Sequence, residues 1–187
     1  MIEARQKKKP IWKHLLWIAI VLCIGFFCLT QGYQFFLRQA YPIKYSDIVK
    51  EESERYGLDE MLVYSIIKAE SNFDPSAHSH AGAVGLMQLT PQTFEWIHTK
   101  LQEDREYTEE DMEDPEINIR YGCKLLSMLL SMYPCEATAL SAYNAGIGTV
   151  SGWLSDPQIS PDGETLLEIP YPETEQYVER VFNNLEI

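Results

Sequence analysis

One glutamate stands on the apolar side of a predicted helix, where its carboxyl group could both donate and accept a proton. In the stretch "IIKAESNFDPSA" (66–77), Glu70 follows four apolar residues by three, four, seven and eight positions: Ile67, Ile66, Val63 and Leu62. In an α-helix this spacing gives one stripe. Apolar neighbours desolvate a carboxyl group and raise its pKa, which suits a general acid. The structural alternative is a side chain that simply reaches solvent from the last helical turn, and one helix does not decide between the two.

Three further motifs follow at well-separated positions. They are "GAVGLMQLTP" (82–91), "SAYNAG" (141–146) and "ETEQYVERV" (173–181). Together with "ESNFDPSA", they resemble the lytic transglycosylase domain of bacterial cell-wall enzymes, the soluble-lytic-transglycosylase type of glycoside hydrolase family twenty-three. The resemblance spans residues 43 to 184. Any one motif is weakly specific, but four in the same order are strongly specific.

The resemblance implies a mainly α-helical, lysozyme-like domain with a groove for glycan strands. It identifies Glu70 as the catalytic acid, Asn144 as a hydrogen-bond partner of substrate and Tyr177 as a tyrosine whose hydroxyl reaches towards the catalytic carboxyl group. The substrate-binding residues that it implies are Ser71, Gly85, Leu86, Met87, Gln88, Tyr143, Asn144, Ala145 and Tyr177. Each of these residues also has an ordinary structural explanation when it is taken alone, such as core packing or a helix end.

The resemblance also implies a reaction that needs one carboxyl group, no cofactor and no metal. Glu70 protonates the leaving oxygen of the β-1,4 bond that follows N-acetylmuramic acid. As a carboxylate, it then takes the proton from the C6 hydroxyl of that sugar, which attacks the anomeric carbon and forms a 1,6-anhydromuramyl end. Two alternatives remain: a goose-type-lysozyme-like hydrolase that uses water, and a non-catalytic wall-binding scaffold.

Other candidate sites are weaker on the sequence alone. Ordinary glycosidases place two carboxylates across the scissile bond. The motifs do not identify a second catalytic carboxylate, because Asp74 lies at the Asp-Pro helix break, where turn formation accounts for it. His78 and His80 form an H-x-H pair without a third ligand nearby in the sequence. The acidic stretch 102–116 lacks the glycine and the ligand spacing of an EF-hand and predicts a solvated loop. We therefore predict no metal site.

Helix start and stop signals organise most of the chain from residue 45 onward. Gly57 ends a helix that begins at Ser46, and Asp59 caps a helix that continues to Glu70 or Ser71. Further helices are predicted from Pro91, capped by Thr90, and from Asp114 and Pro115 to about Tyr133, and through "ATALSAY", "TVSGWL" and "TEQYVERVF". No strand-like alternation extends beyond a few residues. The pattern predicts a mainly α-helical domain of about 140 residues.

An uncharged apolar run lies ahead of this domain, from Leu15 to Leu29. With its flanks (15–37) it reaches the roughly 20 residues that a membrane-spanning helix needs. No small-x-small cleavage site follows the run, which favours an uncleaved signal anchor over a cleaved signal peptide. The positive-inside rule makes 1–14 a cytoplasmic basic tail, 38–44 a juxtamembrane linker and 45–187 an extracytoplasmic lytic transglycosylase domain.

The charge balance excludes one class of partner. From Lys44 onward the chain carries 9 Lys and Arg against 27 Asp and Glu, a formal net charge of −18. Such a surface repels nucleic acid and anionic lipid headgroups. The expected partners are peptidoglycan glycan strands, the lipid bilayer through the N-terminal helix, and a cell-wall synthesis, division or secretion complex.

Overall fold

The computed structural model describes residues 11–40, 44–102 and 104–186. It divides into two compact units, with the boundary between Lys44 and Tyr45. Most of the predicted basic tail (1–14) lies outside the described residues, as do residues 41–43 of the predicted linker.

The first unit contains one continuous helix, α1 (Ile11–Ala40), which includes the predicted membrane segment 15–37. Large apolar side chains between Leu16 and Leu29 are exposed on it. Across the part of the chain that the structure describes, no helix combines the length and the apolar character needed to cross a bilayer. The transmembrane assignment therefore stays a prediction.

Regular structure in the second unit is helical, as predicted. Its helices are α2 (Ser46–Tyr56), α3 (Glu60–Ser71), α4 (Pro91–Leu101), α5 (Pro115–Met132), α6 (Glu136–Ala145), α7 (Ile147–Leu154) and α8 (Pro172–Leu185). Between residues 44 and 186, leaving out residue 103, strand pairing is limited to isolated bridges of Val84 with His78 and Leu89.

The helix boundaries follow from local capping signals. Gly57 ends α2 in the left-handed conformation, with φ 66°. Asp59 accepts the Met61 backbone N–H at 2.7 Å where α3 begins. Thr90 and Asp114 cap α4 and α5 with their side chains. All four boundaries agree with the sequence prediction.

Two apolar clusters form the core of the second unit. The first is built mainly from α3, α5, α8 and the turn at 84–88, and its buried members include Ile66, Ile67, Leu86, Met87 and Val181. The second is built mainly from α4, α5 and α7, and includes Phe94, Ile97, Leu129 and Trp153. Tyr143 packs against both clusters. The turn at 84–88 is thus anchored in the core.

The acidic stretch 102–116 is more ordered than a solvated loop. Most of its described side chains are exposed, as expected. It contains a short 3-10 helix (Glu110–Glu113), and Met112 in that helix is buried in the second cluster. Met112 and the partly buried Tyr107 therefore fasten this stretch to the domain.

Candidate active site

Glu70 lies in the last turn of α3, and its side chain is half-buried. The apolar residues of its stripe are at most 5% exposed: Leu62, Val63, Ile66 and Ile67. Burial raises the pKa of Glu70 to about 7, while hydrogen bonding from Tyr177 and the positive charge of Arg180 act in the opposite direction. Near neutral pH the carboxyl group is therefore populated in both forms, so that it can give up a proton and take one back.

Two tyrosines stand beside this carboxyl group, Tyr177 buried and Tyr143 half-buried. Tyr177 of α8 and Tyr143 of α6 stack with their ring centroids 6.5 Å apart and their planes at 8°. Burial, followed by the charge of Glu70, raises the pKa of both phenols well above the usual tyrosine value. Both hydroxyls therefore keep their protons.

The two hydroxyls have different partners. Tyr143 donates to the Met87 carbonyl oxygen at 2.9 Å. The Tyr177 hydroxyl is buried and makes no hydrogen bond of ordinary length in the described part of the chain, yet it is near enough to the Glu70 carboxyl group to lower its pKa. Tyr177 is thus the tyrosine whose hydroxyl acts on the Glu70 carboxyl group.

Side chains from three helices hold the backbone of Leu86 and Met87. Ser71 of α3 donates from its Oγ to the Leu86 carbonyl oxygen at 2.9 Å. The Met87 N–H donates to Oδ1 of Asn118, from α5, at 2.7 Å. Tyr143 of α6 donates to the Met87 carbonyl oxygen, which belongs to the following peptide. The residue that follows Glu70 therefore ties the acid to this turn.

The turn itself depends on two residues with positive φ. Gly85 has φ +82°, and a Cβ there would lie 2.3 Å from Nδ2 of Asn118 and 2.6 Å from the Met112 carbonyl oxygen. Gln88 has φ 48°, which is rare for a residue with a side chain. Its Nε2 donates to the carbonyl oxygens of Ala77 and Gly85 at 3.0 and 2.9 Å. The Gln88 amide is thus committed to the turn through its donors, and Oε1 is its remaining polar atom.

Asn144 is exposed at the end of α6. Its Oδ1 accepts a hydrogen bond from the buried Thr174 hydroxyl at 2.8 Å. Because this bond occupies the oxygen, Asn144 offers the Nδ2 donors to a ligand.

A cleft of about 610 Å³ collects these groups. Five of the predicted residues line it: Glu70, Gln88, Tyr143, Asn144 and Ala145. The other five lie behind its wall and support it: Ser71, Gly85, Leu86, Met87 and Tyr177. A separate pocket of about 370 Å³, beside α4 and the acidic stretch, contains none of the predicted site residues.

The cleft also contains a carboxyl group that the sequence analysis did not single out, that of Glu173. It precedes Tyr177 by four residues in the motif "ETEQYVERV", which is one helical turn. That spacing could have identified it.

The two histidines of the H-x-H pair have different neighbours in the domain. Nε2 of His78 lies 2.9 Å from Oε1 of Glu113, whereas His80 lines the cleft. The H-x-H pair therefore does not converge on one point.

In sequence and in fold, the chain is similar to known transglycosylases. A family model described as a transglycosylase SLT domain matches residues 47–164. The membrane-bound lytic murein transglycosylase C of Mannheimia succiniciproducens is 37% identical over 120 residues, which cover 57% of this chain and 32% of that protein. The protein of the same name from Pectobacterium atrosepticum is 29% identical over 163 residues, covering 80% of this chain and 42% of that protein. This chain thus spans about a third to two fifths of the length of these two relatives.

Two solved structures share the fold. An inactive mutant of the lytic transglycosylase Slt from Pseudomonas aeruginosa, in which a glutamate is replaced by glutamine, is 30% identical with a TM-score of 0.67, and the match covers 80% of this chain and 24% of that one. The 70 kDa soluble lytic transglycosylase of Escherichia coli is 25% identical with a TM-score of 0.68, and the match covers 84% of this chain and 26% of that one.

Proposed function

The chain belongs to the transglycosylase SLT domain family, and from this premise we propose that it is a peptidoglycan lytic transglycosylase. The observation that supports this proposal most strongly is the half-buried Glu70, whose pKa of about 7 lets one group serve as acid and then as base. The Pseudomonas aeruginosa neighbour, described as inactive with glutamine in place of a glutamate, is consistent with this role.

In the proposed reaction, protonated Glu70 first donates to the oxygen of the β-1,4 bond between N-acetylmuramic acid and N-acetylglucosamine. The bond from the anomeric carbon to that oxygen breaks, and Glu70 becomes a carboxylate. The carboxylate then accepts the proton of the C6 hydroxyl group of the muramic acid, whose oxygen forms the new bond to the anomeric carbon. The enzyme returns to its starting state, no water is consumed, and the product carries a 1,6-anhydromuramyl end.

The cleft offers the polar groups that binding a glycan requires. Asn144 presents donors, because Thr174 occupies its oxygen. Gln88 presents Oε1, because its Nε2 is bonded to the turn. An acetamido group has one acceptor and one donor, so that these two side chains suit it. We assign Tyr143 and Ala145 to the wall of the same site, and Ser71, Gly85, Leu86 and Met87 to its support.

A second function has one observation in its favour. Hydrolysis of the goose-type-lysozyme kind needs an activated water, and Glu173 supplies a further carboxyl group in the cleft. The two reactions differ in their products, since hydrolysis leaves a reducing muramic acid end.

Product analysis tests both functions. Purified peptidoglycan is incubated with the full chain in detergent, and with Glu70→Gln, Glu173→Gln and, as a matched control on an exposed face of α8, Glu179→Gln. We expect anhydromuropeptides from every protein except Glu70→Gln, whose rate falls by at least about 100-fold. Reducing muropeptides that disappear in Glu173→Gln would establish hydrolysis. Binding to peptidoglycan without products would indicate a wall-binding scaffold.

We also propose that α1 crosses the cytoplasmic membrane at 15–37, with 1–14 inside and the 45–187 domain outside. The apolar run, the basic residues ahead of it and the names of the membrane-bound relatives support this. Membrane fractions treated with alkaline carbonate should retain the full chain and lose a variant that lacks residues 15–29. External protease should digest the 45–187 domain in spheroplasts.

A further inference from the structure

Of the two tyrosine hydroxyls beside Glu70, only one is directed at the acid. A hydroxyl group has a single proton to donate. While the Tyr143 proton is bonded to the Met87 carbonyl oxygen at 2.9 Å, it is withheld from the Glu70 carboxyl group. The position of the Met87 carbonyl group therefore decides how many donors the acid has.

Asn118 fixes the backbone of Met87 from within the core, through the N–H of that residue. It is fully buried in α5. Its Oδ1 accepts the Met87 N–H at 2.7 Å, and its Nδ2 donates to the carbonyl oxygens of Val84 and Met112 at 3.0 and 2.7 Å. Both donors and the acceptor are used, so the amide has one orientation, and a Cβ at position 85 would collide with it.

Given the proposed role of Glu70 as general acid, we propose that Asn118 is a positioning residue for that acid: by holding the Met87 N–H it keeps the Met87 backbone in place, so that Tyr143 donates to the Met87 carbonyl oxygen and not to Glu70. Asn118 touches neither the cleft nor the acid. It acts through the turn that lies between them.

The proposal predicts the direction of a pKa change at Glu70. From α8 this carboxyl group meets Tyr177 and Arg180, and from α6 it meets Tyr143. His80 and Glu173 line the same cleft, and Cys123 of α5 acts on Tyr143. If the Met87 backbone loses its bond to Asn118 and its carbonyl group moves away, the Tyr143 hydroxyl becomes a second donor to the Glu70 carboxylate. A donor stabilises the charged form, so the pKa of Glu70 falls.

The test is a direct titration of Glu70 in the full chain in detergent. Carboxyl-¹³C glutamate is incorporated, and the Glu70 signal is assigned by its loss in Glu70→Gln. The variants are Asn118→Ala, Asn118→Ser and the double variant Asn118→Ala with Tyr143→Phe. The matched control is Ser141→Ala, which removes another buried group, from the helix that carries Tyr143.

We expect the pKa of Glu70 to fall by about one unit in Asn118→Ala and Asn118→Ser. It should stay at the parent value in Ser141→Ala and return close to it in the double variant, where the second donor is missing. A loss of stability alone would not give this pattern. An unchanged pKa in the Asn118 variants, or a fall that persists in the double variant, would overturn the proposal.

Tyr143→Phe decides the matter if the Asn118 variants do not fold. The pKa of Glu70 should then hardly change, because the native Tyr143 proton does not serve the acid. A clear rise would show that it does, and would overturn the proposal. Product analysis of the same proteins separates the two proposals. If the pKa of Glu70 changes as expected but no anhydromuropeptides form, the proposed function is wrong and the role of Asn118 stands. If anhydromuropeptides form but the pKa does not change in the Asn118 variants, the proposed function stands and the role of Asn118 is wrong.

Discussion

At the scale of single residues, burial of Glu70 affects folding as well as the proposed catalysis. Between pH 4.5 and about 7 the folded protein keeps the Glu70 proton, and the unfolded chain has lost it. The folded state then binds more protons than the unfolded state, so the free energy of unfolding decreases as the pH rises through this window.

We predict that Glu70 contributes a decrease of about 3 kcal/mol in the free energy of unfolding between pH 4.5 and pH 7. In Glu70→Gln this contribution disappears, because the amide does not ionise. Urea unfolding of both proteins at a series of pH values measures the difference. If the two profiles run parallel, burial does not perturb the pKa of Glu70.

Tyr177→Phe should raise the pKa of Glu70 further. The phenol lowers the pKa of Glu70, so its removal raises that pKa above about 7. The basic limb of the dependence of kcat/KM on pH, which reports the protonated acid, should then move up by about half a unit to one unit.

At about pH 4, where Glu70 keeps its proton in both folded proteins, stability should barely change in Tyr177→Phe, by less than about 0.5 kcal/mol, because the buried hydroxyl makes no hydrogen bond of ordinary length in the described part of the chain. Above pH 7 the raised pKa of Glu70 should lower the free energy of unfolding by about 1 kcal/mol. Tyr171→Phe is the control, since this exposed tyrosine packs on Trp153. A basic limb that stays in place in Tyr177→Phe would contradict the role of the phenol.

The sequence reveals some of these residues and not others. Glu70 is visible because a polar residue interrupts an apolar stripe. Asn118 interrupts one too, three, four and seven positions before Tyr121, Gly122 and Leu125 on α5, and the same rule could have found it. Its partners could not be predicted, because the Met87 N–H lies 31 residues away along the chain.

At the scale of elements, the turn at 84–88 is the part whose shape depends most on one residue. We predict that Gly85→Ala destabilises the domain by about 3 kcal/mol or more, since left-handed strain is added to a clash with Asn118 and the Met112 backbone. Thermal and urea unfolding measure the loss.

Gly82→Ala separates the two causes. Gly82 has nearly the same positive φ, +79°, but nothing lies within 4 Å of its added Cβ. It should cost only the backbone strain, about 1 to 2 kcal/mol. Equal losses in the two variants would mean that the clash at Gly85 relaxes freely.

Helix ends were predicted well for a physical reason. Asp59 caps α3 and Asp114 caps α5 through bonds to neighbours two or three residues away, so the signal is contained in a short stretch of sequence. Met112 was not anticipated as a core residue, because only its distant contacts with the second cluster bury it.

At the scale of the whole molecule, charge should limit activity on an anionic wall. The net −18 from Lys44 onward repels the stem-peptide carboxylates of the proposed substrate. Repulsion acts over a Debye length of about 30 Å at 0.01 M salt and about 8 Å at 0.15 M. We predict that the rate on isolated peptidoglycan rises severalfold between these two concentrations.

Peptidoglycan whose carboxyl groups have been amidated provides the control for this effect. Its rate should be high already at 0.01 M salt and should change little with added salt. If the rate rises equally with salt on both substrates, charge repulsion is not the cause of the salt effect.

The contact between α3 and α8 also makes the order of synthesis matter. Glu70 emerges from the ribosome long before Tyr177, which lies more than a hundred residues further along the chain. Until α8 has been made and docks, the acid lacks its phenol and Thr174 does not yet hold Asn144. A nascent chain therefore has an incomplete site during most of its translation, and the proposed cutting activity can begin only after nearly all of the domain has been made.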